Sequence, residues 1–363
     1  MKNRILIFAM VATILFVGNS CSKDDDGITP PRCNDSGLPI NIERNSIVYK
    51  TNNNSIVLFK NSGAVVESHT YSTTNGYGTI VFESEVTAIA KNAFKYCSNL
   101  TSIVIPNSVT IIGESAFYGC TGLTSITIPN SVTTIEKSAF ESCTGLNNIT
   151  IPNSVTTIEK SAFDGCTGLN SITIPNSVTT IEKSAFSWCT GLNSITIPNS
   201  VTTIGESAFY VCTGLNSITI PNSVTTIGAS AFKGCTGLTS ITIPNSVTHI
   251  DNSAFYYCTG LTSITIGNSV TSIGIGAFAG CTGLNSITIP NSVSIIRGSA
   301  FGGCTGLNSI YAKPTAPPIC RDLGNNPFYE SSSATLYVPI GSKTAYETTF
   351  PWNIFSNIVE MEF

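Results

Sequence analysis

Apolar positions recur along this chain on one fixed step, longer than any helical or strand period. From Leu123 they fall at Ile126, Ile128, Val132, Ile135, Ala139, Phe140 and Cys143, and Leu146 then restarts the series. Ile126-Thr127-Ile128 alternates, which predicts a short strand with both isoleucines facing inward. Pro129-Asn130-Ser131 predicts a turn. Residues 132–135 predict a second, looser extended piece, and residues 138–143 a turn of 3-10 or a very short helix. Thr144-Gly145 returns the chain to the next strand. No segment is long enough to stand as an independent helix.

Cysteines keep the step at 97, 120, 143, 166, 189, 212, 235, 258, 281 and 304, and phenylalanines at 94, 117, 140, 163, 186, 209, 232, 255, 278 and 301. Self-similarity at this period indicates a solenoid, propeller or array. One copy cannot bury its apolar side alone, so the copies must stack. Strands in register then form a parallel sheet with about 4.8 Å between neighbours. The fold class expected is a repeat solenoid with short parallel strands and few helical turns. Exposed terminal coils offer bare core and sheet edge, so both ends need caps. Residues 46–49, 56–59 and 79–82 read as strands. Ile80 and Phe82 precede Val86 by the offset that places the first coil there, leaving an N-terminal β cap.

The motif Leu-x-x-Ile-x-Ile-Pro-x-x-Val-x-x-Ile-x-x-x-Ala-Phe-x-x-Cys resembles the BspA-like bacterial leucine-rich repeat. The C-terminal run Leu336-Tyr337-Val338-Pro339, with Gly341, Tyr346, Trp352, Phe355 and Ile358-Val359-Glu360, resembles that family's closing cap. The resemblance implies a right-handed leucine-rich-repeat coil stack, exported to the bacterial surface and associated with adhesion to host proteins or other cells. The expected organisation is a signal peptide at 1–20, an acidic tether at 21–39, an N-terminal β cap at 40–78, about ten repeats at 79–312 and a C-terminal cap at 313–363.

At the start of the chain, Lys2 and Arg4 precede an apolar run at 5–17. A run of about 13 residues reaches roughly 20 Å as a helix, short of a bilayer core of about 30 Å, and reads as a signal peptide. Small residues and then Cys21 resemble a lipobox, although the usual leucine three residues before the cysteine is missing. Asp24-Asp25-Asp26 resembles the acid-rich tag of surface-exposed lipoproteins. Cys21 is therefore the expected lipidation site of an outer-membrane lipoprotein, held to the membrane by lipid alone. Residues 24–31 cannot bury a core and read as a solvated tether.

Charged residues make up only 10% of the chain, against roughly 25% in ordinary soluble domains, so Ser, Thr and Asn must solvate the surface. The net charge of -4 and the absence of any Lys/Arg run exclude a nucleic-acid partner.

Repeated cysteines in an exported chain suggest disulfides. Equivalent cysteines one coil apart lie within Cα range, but their side chains run parallel and do not converge. A column of buried free thiols acting as small apolar filler is expected instead. Cys33 and Cys320 lie outside the column. One cysteine per repeat is not a metal-ligand spacing, and His69 and His249 are far apart. Neither a nucleophile elbow, a phosphate loop nor a zinc-protease motif is present, so neither catalysis nor a cofactor is expected. His249 stands in a threonine position and reads as a surface substitution. Glu136-Lys137, Glu159-Lys160 and Glu182-Lys183 stack at one turn and read as mutually neutralising pairs, each worth under about 1 kcal/mol.

Two surfaces are candidates for binding. Thr127, Thr150, Thr173, Thr196, Thr219, Thr242, Thr265 and Thr288 point outward from the strand face, beside a serine column. A flat threonine lattice can order water or ice, but one threonine per strand is a single file, and ordinary strand propensity accounts for it. This face is nearly identical in every coil, so it suits a periodic ligand. The second surface is the variable pair between Phe and Cys, which carries Tyr96, Tyr118, Trp188, Tyr210, Tyr256 and Tyr257. Aromatics of this kind anchor interfaces or stack on sugars, though unconstrained positions or coverage of neighbouring core would also account for them. The function expected is a non-catalytic, monomeric surface protein that binds an extracellular protein or glycan. A glycan-capturing lipoprotein serving an uptake system and a passive spacer are the alternatives. A glycan binder loses its ligand when Trp188, Tyr210 and Tyr256 become alanine, and a spacer has none.

Overall fold

The structure, a computed structural model, describes residues 42–60, 64–321 and 326–363. The signal peptide, Cys21, the acidic tether and Cys33 lie outside the described residues.

Each copy forms one coil. Strands such as Ser125–Thr127, Asn148–Thr150, Ser171–Thr173, Ser194–Thr196 and Ser217–Thr219 pair in parallel with no slip, so Ile126, Ile149, Ile172, Ile195 and Ile218 form one file. The second extended piece makes its own parallel ladder, for example Thr157–Ile158 beside Thr180–Ile181. The interior is the set the pattern predicted: Leu146, Ile149, Ile151, Val155, Ile158, Ala162, Phe163 and Cys166 are all buried.

Among the described residues the turn side of the repeats holds no helix. Its backbone enters the left-handed region twice per coil, at Ser138 (φ 57°) and Ser142 (φ 60°) in one copy. A right-handed helix cannot pass through such residues, so of the two forms expected residues 138–143 take the turn and not the very short helix: the Cys143 N–H, for example, donates to the Phe140 carbonyl at 3.1 Å. The alternation turns every second N–H group along the stack: Ser138 donates to the Lys160 carbonyl at 3.0 Å, Phe140 to Ala162 at 2.9 Å and Ser142 to Asp164 at 2.7 Å. A third set of bonds thus ties coil to coil and satisfies backbone groups that would otherwise be buried unpaired.

Phenylalanines stack along the interior from Phe94 to Phe328, with ring centroids 5.3 to 5.6 Å apart and planes within 9°. That spacing exceeds a coil step of about 4.8 Å, so the rings are offset, the preferred arrangement for parallel aromatics. Phe328 and Ser331 were not legible as a repeat, because an insertion makes the chain from Phe301 to Phe328 longer than the repeat step. Ser331 occupies the cysteine position: its Oγ donates to the Phe301 carbonyl at 2.8 Å.

The N-terminal cap corrects two expectations. Its strands are β1 (Ser46–Thr51), β2 (Val66–Ser72) and β3 (Tyr77–Phe82), all antiparallel, and β1 rather than β3 adjoins the first solenoid strand (Leu100–Val104). The strand containing Ile80 and Phe82 is therefore a cap strand, not the first coil. Residues 56–59 are not a strand either. They cover the turn side, where Phe59 lies 6.0 Å from Phe94 and the Leu58 carbonyl accepts the Cys97 thiol at 3.0 Å. An antiparallel β1 closes the sheet edge, while Phe59 closes the phenylalanine stack.

At the other end the parallel sheet runs on through Ser309–Ala312, Thr335–Pro339 and Ile358–Met361, so the C-terminal cap is built as further coil. A short helix, α1 (Lys343–Thr348), and a 3-10 turn (Trp352–Ile354) then lie over the last layer. Trp352 is fully buried against Phe328 at 4.9 Å and donates its indole N–H to the Pro318 carbonyl at 3.0 Å.

Candidate binding edge

The variable pair falls on the turn side, and its second residue is left-handed in every coil. Tyr96, Gly119, Ser142, Gly165, Trp188, Val211, Gly234, Tyr257, Gly280, Gly303 and Glu330 all have φ between 56° and 76°. Glycine fills five of these positions because it takes this conformation without cost. Tyr96, Trp188 and Tyr257 hold it at about 1–2 kcal/mol each. All three are exposed, at 63%, 49% and 53% of full accessibility, as is Tyr329 in the last layer, at 60%.

The six aromatics predicted form two groups. In the first, Tyr96 and Tyr118 meet edge to face at 5.3 Å, and the Lys95 ammonium lies 4.7 Å from the Tyr118 ring. In the second, Trp188 meets Tyr210 edge to face at 5.6 Å, and Tyr256 tilts against Tyr257 at 4.7 Å. Lys233 joins these halves, with its Nζ 5.7 Å from Tyr210 and 4.9 Å from Tyr256. The second group thus spans four successive coils. Lys95 and Lys233 were missed because each is a lone lysine in sequence; only stacking brings it to the rings of neighbouring coils.

Between the groups the same column is acidic, with Glu141 and then Asp164. Burial, then repulsion by Glu141, raises the Asp164 carboxyl to about 6. Repulsion by Glu141 is also the main reason the Tyr118 hydroxyl is pushed up.

The strand face is as predicted in register and exposure. Thr127, Thr150, Thr173, Thr196, Thr219, Thr242, Thr265 and Thr288 are exposed, and the file runs on through Tyr311 and Tyr337, stacked 4.8 Å apart, to Val359. The stacked Glu/Lys turn is tied from coil to coil. Lys183 bridges to Glu206 of the next coil at 2.7 Å, and Glu136 accepts the backbone N–H of Glu114 at 2.8 Å.

The ten repeat cysteines are free and buried, and they do more than fill space. Each thiol from Cys120 to Cys304 donates to the phenylalanine carbonyl of the coil before, as Cys143 does to Phe117 at 3.1 Å. Burial pushes the thiols up, Cys97 to about 11 and Cys212 and Cys304 to about 12. Cys320 is half-buried and raised to about 12 for the same reason. His69, half-buried in the N-terminal cap, shares a 2.7 Å hydrogen bond with Tyr49, and burial lowers its pKa. His249 is exposed, its Nδ1 2.7 Å from Thr248 Oγ1. Among the described residues no group of three or more His, Cys, Asp or Glu could hold a metal ion, and no helix is long and apolar enough to cross a membrane.

A stack of short parallel strands with a repeated apolar interior and a variable edge defines a leucine-rich-repeat solenoid. The BspA type leucine-rich repeat region matches residues 41–170, 179–308 and 273–361, in six copies, and the chain belongs to that family. Proteins of the family are typically bacterial surface proteins and generally non-catalytic interaction scaffolds. Among solved structures, a leucine-rich repeat protein from Bacteroides ovatus is 29% identical over 76% of either chain, with a TM-score of 0.58. A leucine-rich cell surface protein from Faecalibacterium prausnitzii is 27% identical, covering 87% of this chain and 97% of its own, with a TM-score of 0.43. A leucine-rich repeat protein of T. pallidum is 33% identical over 44% of this chain and 78% of its own, with a TM-score of 0.42. No match emerges among functionally curated proteins.

Proposed function

We propose that the chain is a non-catalytic, cell-surface binding protein that docks an extracellular macromolecule on its variable edge. One observation carries this reading. Trp188, Tyr257 and Tyr96 stand where the backbone is left-handed and glycine serves in five other coils. Folding does not require these rings, and holding them there costs stability. Backbone strain retained at exposed aromatics marks a functional position. A lipid on Cys21 and the acidic segment after it would hold the solenoid at the outer face of the cell.

The test replaces Trp188 and Tyr257 by glycine and measures adhesion of the protein to a panel of extracellular matrix proteins, cells and glycans. Binding is expected to fall at least about tenfold, the effect of removing an interface anchor worth about 2 kcal/mol. The melting temperature should hold, because relief of left-handed strain offsets the lost ring contact of about 0.5–1.5 kcal/mol. Wild-type binding by the double variant would remove the edge from consideration. For the anchor, Cys21→Ala should abolish acylation; a variant still labelled by a fatty-acid probe would reject that assignment.

A further inference from the structure

The edge aromatics do not form a uniform line, and the difference between the two groups points to a ligand. In the N-terminal group, Lys95 is accompanied by Glu114, with Glu141 acting on Tyr118 from the other side. In the C-terminal group, Lys233 is half-buried between Tyr210 and Tyr256, and among the described residues no carboxylate pairs with it. Its charge is met only by two ring faces, which attract a cation but leave its N–H donors free for an anion. Trp188 and Tyr257 lie at either end with about half their surface open. The Tyr257 ring is braced from behind: a Cβ added at Gly280 of the next coil would sit 2.9 Å from it. One ring face therefore rests on backbone.

The dimensions restrict what can occupy this site. From the Trp188 coil to the Tyr257 coil is three steps of about 4.8 Å, so roughly 14 Å, and the strip is one variable pair wide. A specific protein interface buries about 800 Å² on each partner around an anchor seated in a pocket. The cap concavities, one against Phe59 and Phe82 and the other against Phe363, include none of these aromatics. A narrow strip of braced rings with a central cation fits a short oligosaccharide instead. Sugar rings lie flat on aromatic faces, and a ring carboxylate supplies the missing counter-charge. Single-stranded nucleic acid shares the stacking but needs a basic groove along its backbone. Here the strip carries a single lysine, and the coil beyond Trp188 carries Asp164.

We propose that the strip formed by Trp188, Tyr210, Lys233, Tyr256 and Tyr257 is a binding site for a carboxylate-bearing oligosaccharide, a uronic-acid glycan, with Lys233 pairing its carboxylate and the flanking rings stacking its sugars. This assignment rests on the edge being the binding surface and names the partner's chemistry.

The experiment is titration calorimetry of the full chain with trigalacturonate, with its neutral counterpart trigalactose, and with a single-stranded oligonucleotide. Trigalacturonate should bind at least about tenfold tighter than trigalactose, as expected for one charge-assisted hydrogen bond. Lys233→Gln should erase that preference and Lys233→Arg should keep it, while Trp188→Gly should weaken both sugars. Equal affinity for the two sugars, a preference unchanged in Lys233→Gln, or tighter binding of the oligonucleotide would each overturn the assignment. If no saccharide binds but a matrix protein does, and Trp188→Gly abolishes that, the edge remains the binding surface and only the acidic sugar is wrong. If Trp188→Gly changes nothing for any ligand, both readings fall.

Discussion

The thiol of Cys143 donates to the backbone carbonyl of Phe117, one coil earlier, across 3.1 Å. That carbonyl already accepts the N–H of Cys120 at 3.1 Å, so the thiol fills its second acceptor site. Ser331 makes the equivalent bond in the last phenylalanine layer, so the position requires a small donor rather than sulfur itself. Cys143→Ser should therefore be less destabilising than Cys143→Ala by about 1 kcal/mol, the net value of one hydrogen bond. Urea unfolding of the two variants measures the difference; an alanine variant as stable as the serine one would reduce the thiol to filler.

Buried thiols also set an alkaline limit. Burial raises Cys212 and Cys304 from an ordinary value of 9.0 to about 12. Below pH 9 both folded and unfolded chains keep these thiols protonated, and no stability is lost. Above 9 the unfolded chain ionises while the folded one resists, so stability falls as pH rises toward 12. The urea midpoint should be level from pH 7 to about 8.5 and drop steeply above 9, since the column titrates together on unfolding. A midpoint level to pH 11 would contradict the burial of the column. Native protein at pH 8 should likewise leave the repeat thiols unreactive until it is unfolded.

Left-handed backbone at the second variable position makes opposite predictions for opposite exchanges. Val211 has φ 56°, a costly conformation for a β-branched residue. Val211→Gly should raise stability by about 1 kcal/mol. Gly119→Ala should lower it by at least as much, because its Cβ adds a 2.7 Å approach to the Tyr96 ring. Thermal melts that shift in the same direction for both would show that the conformation is not enforced.

Coils should be removable singly. Deleting residues 144–166 joins Cys143 to Thr167, restores the register and takes out one coil. X-ray scattering should show a particle shorter by about 4.8 Å that unfolds cooperatively. The Trp188 to Tyr257 strip stays intact, so a ligand confined to it keeps its affinity. A fall in affinity would mean that the ligand spans both aromatic groups.

Sequence by itself determined the coil. A fixed repeat step with alternating Ile-Thr-Ile, a turn at Pro-Asn-Ser and a recurring Ala-Phe-x-x-Cys is used often enough that each copy reports the environment of the others. Periodicity thus showed which side chains face inward, that strands pair in register and that the threonine file is exposed. Where the repetition stopped, so did the legibility. The antiparallel insertion of β1 before Leu100, the use of Phe59 as a ring cap and the extra layer at Phe328 depend on contacts between segments that share no pattern. The edge divides the same way. Trp188, Tyr210, Tyr256 and Tyr257 stood out because they break the repeat, but Lys233 did not. A lysine acquires meaning only when stacking sets it between rings one coil to either side. The left-handed conformation under Trp188 was equally hidden, since a backbone angle is fixed by which coil its N–H must reach, and that partner, the Tyr210 carbonyl, belongs to the next coil.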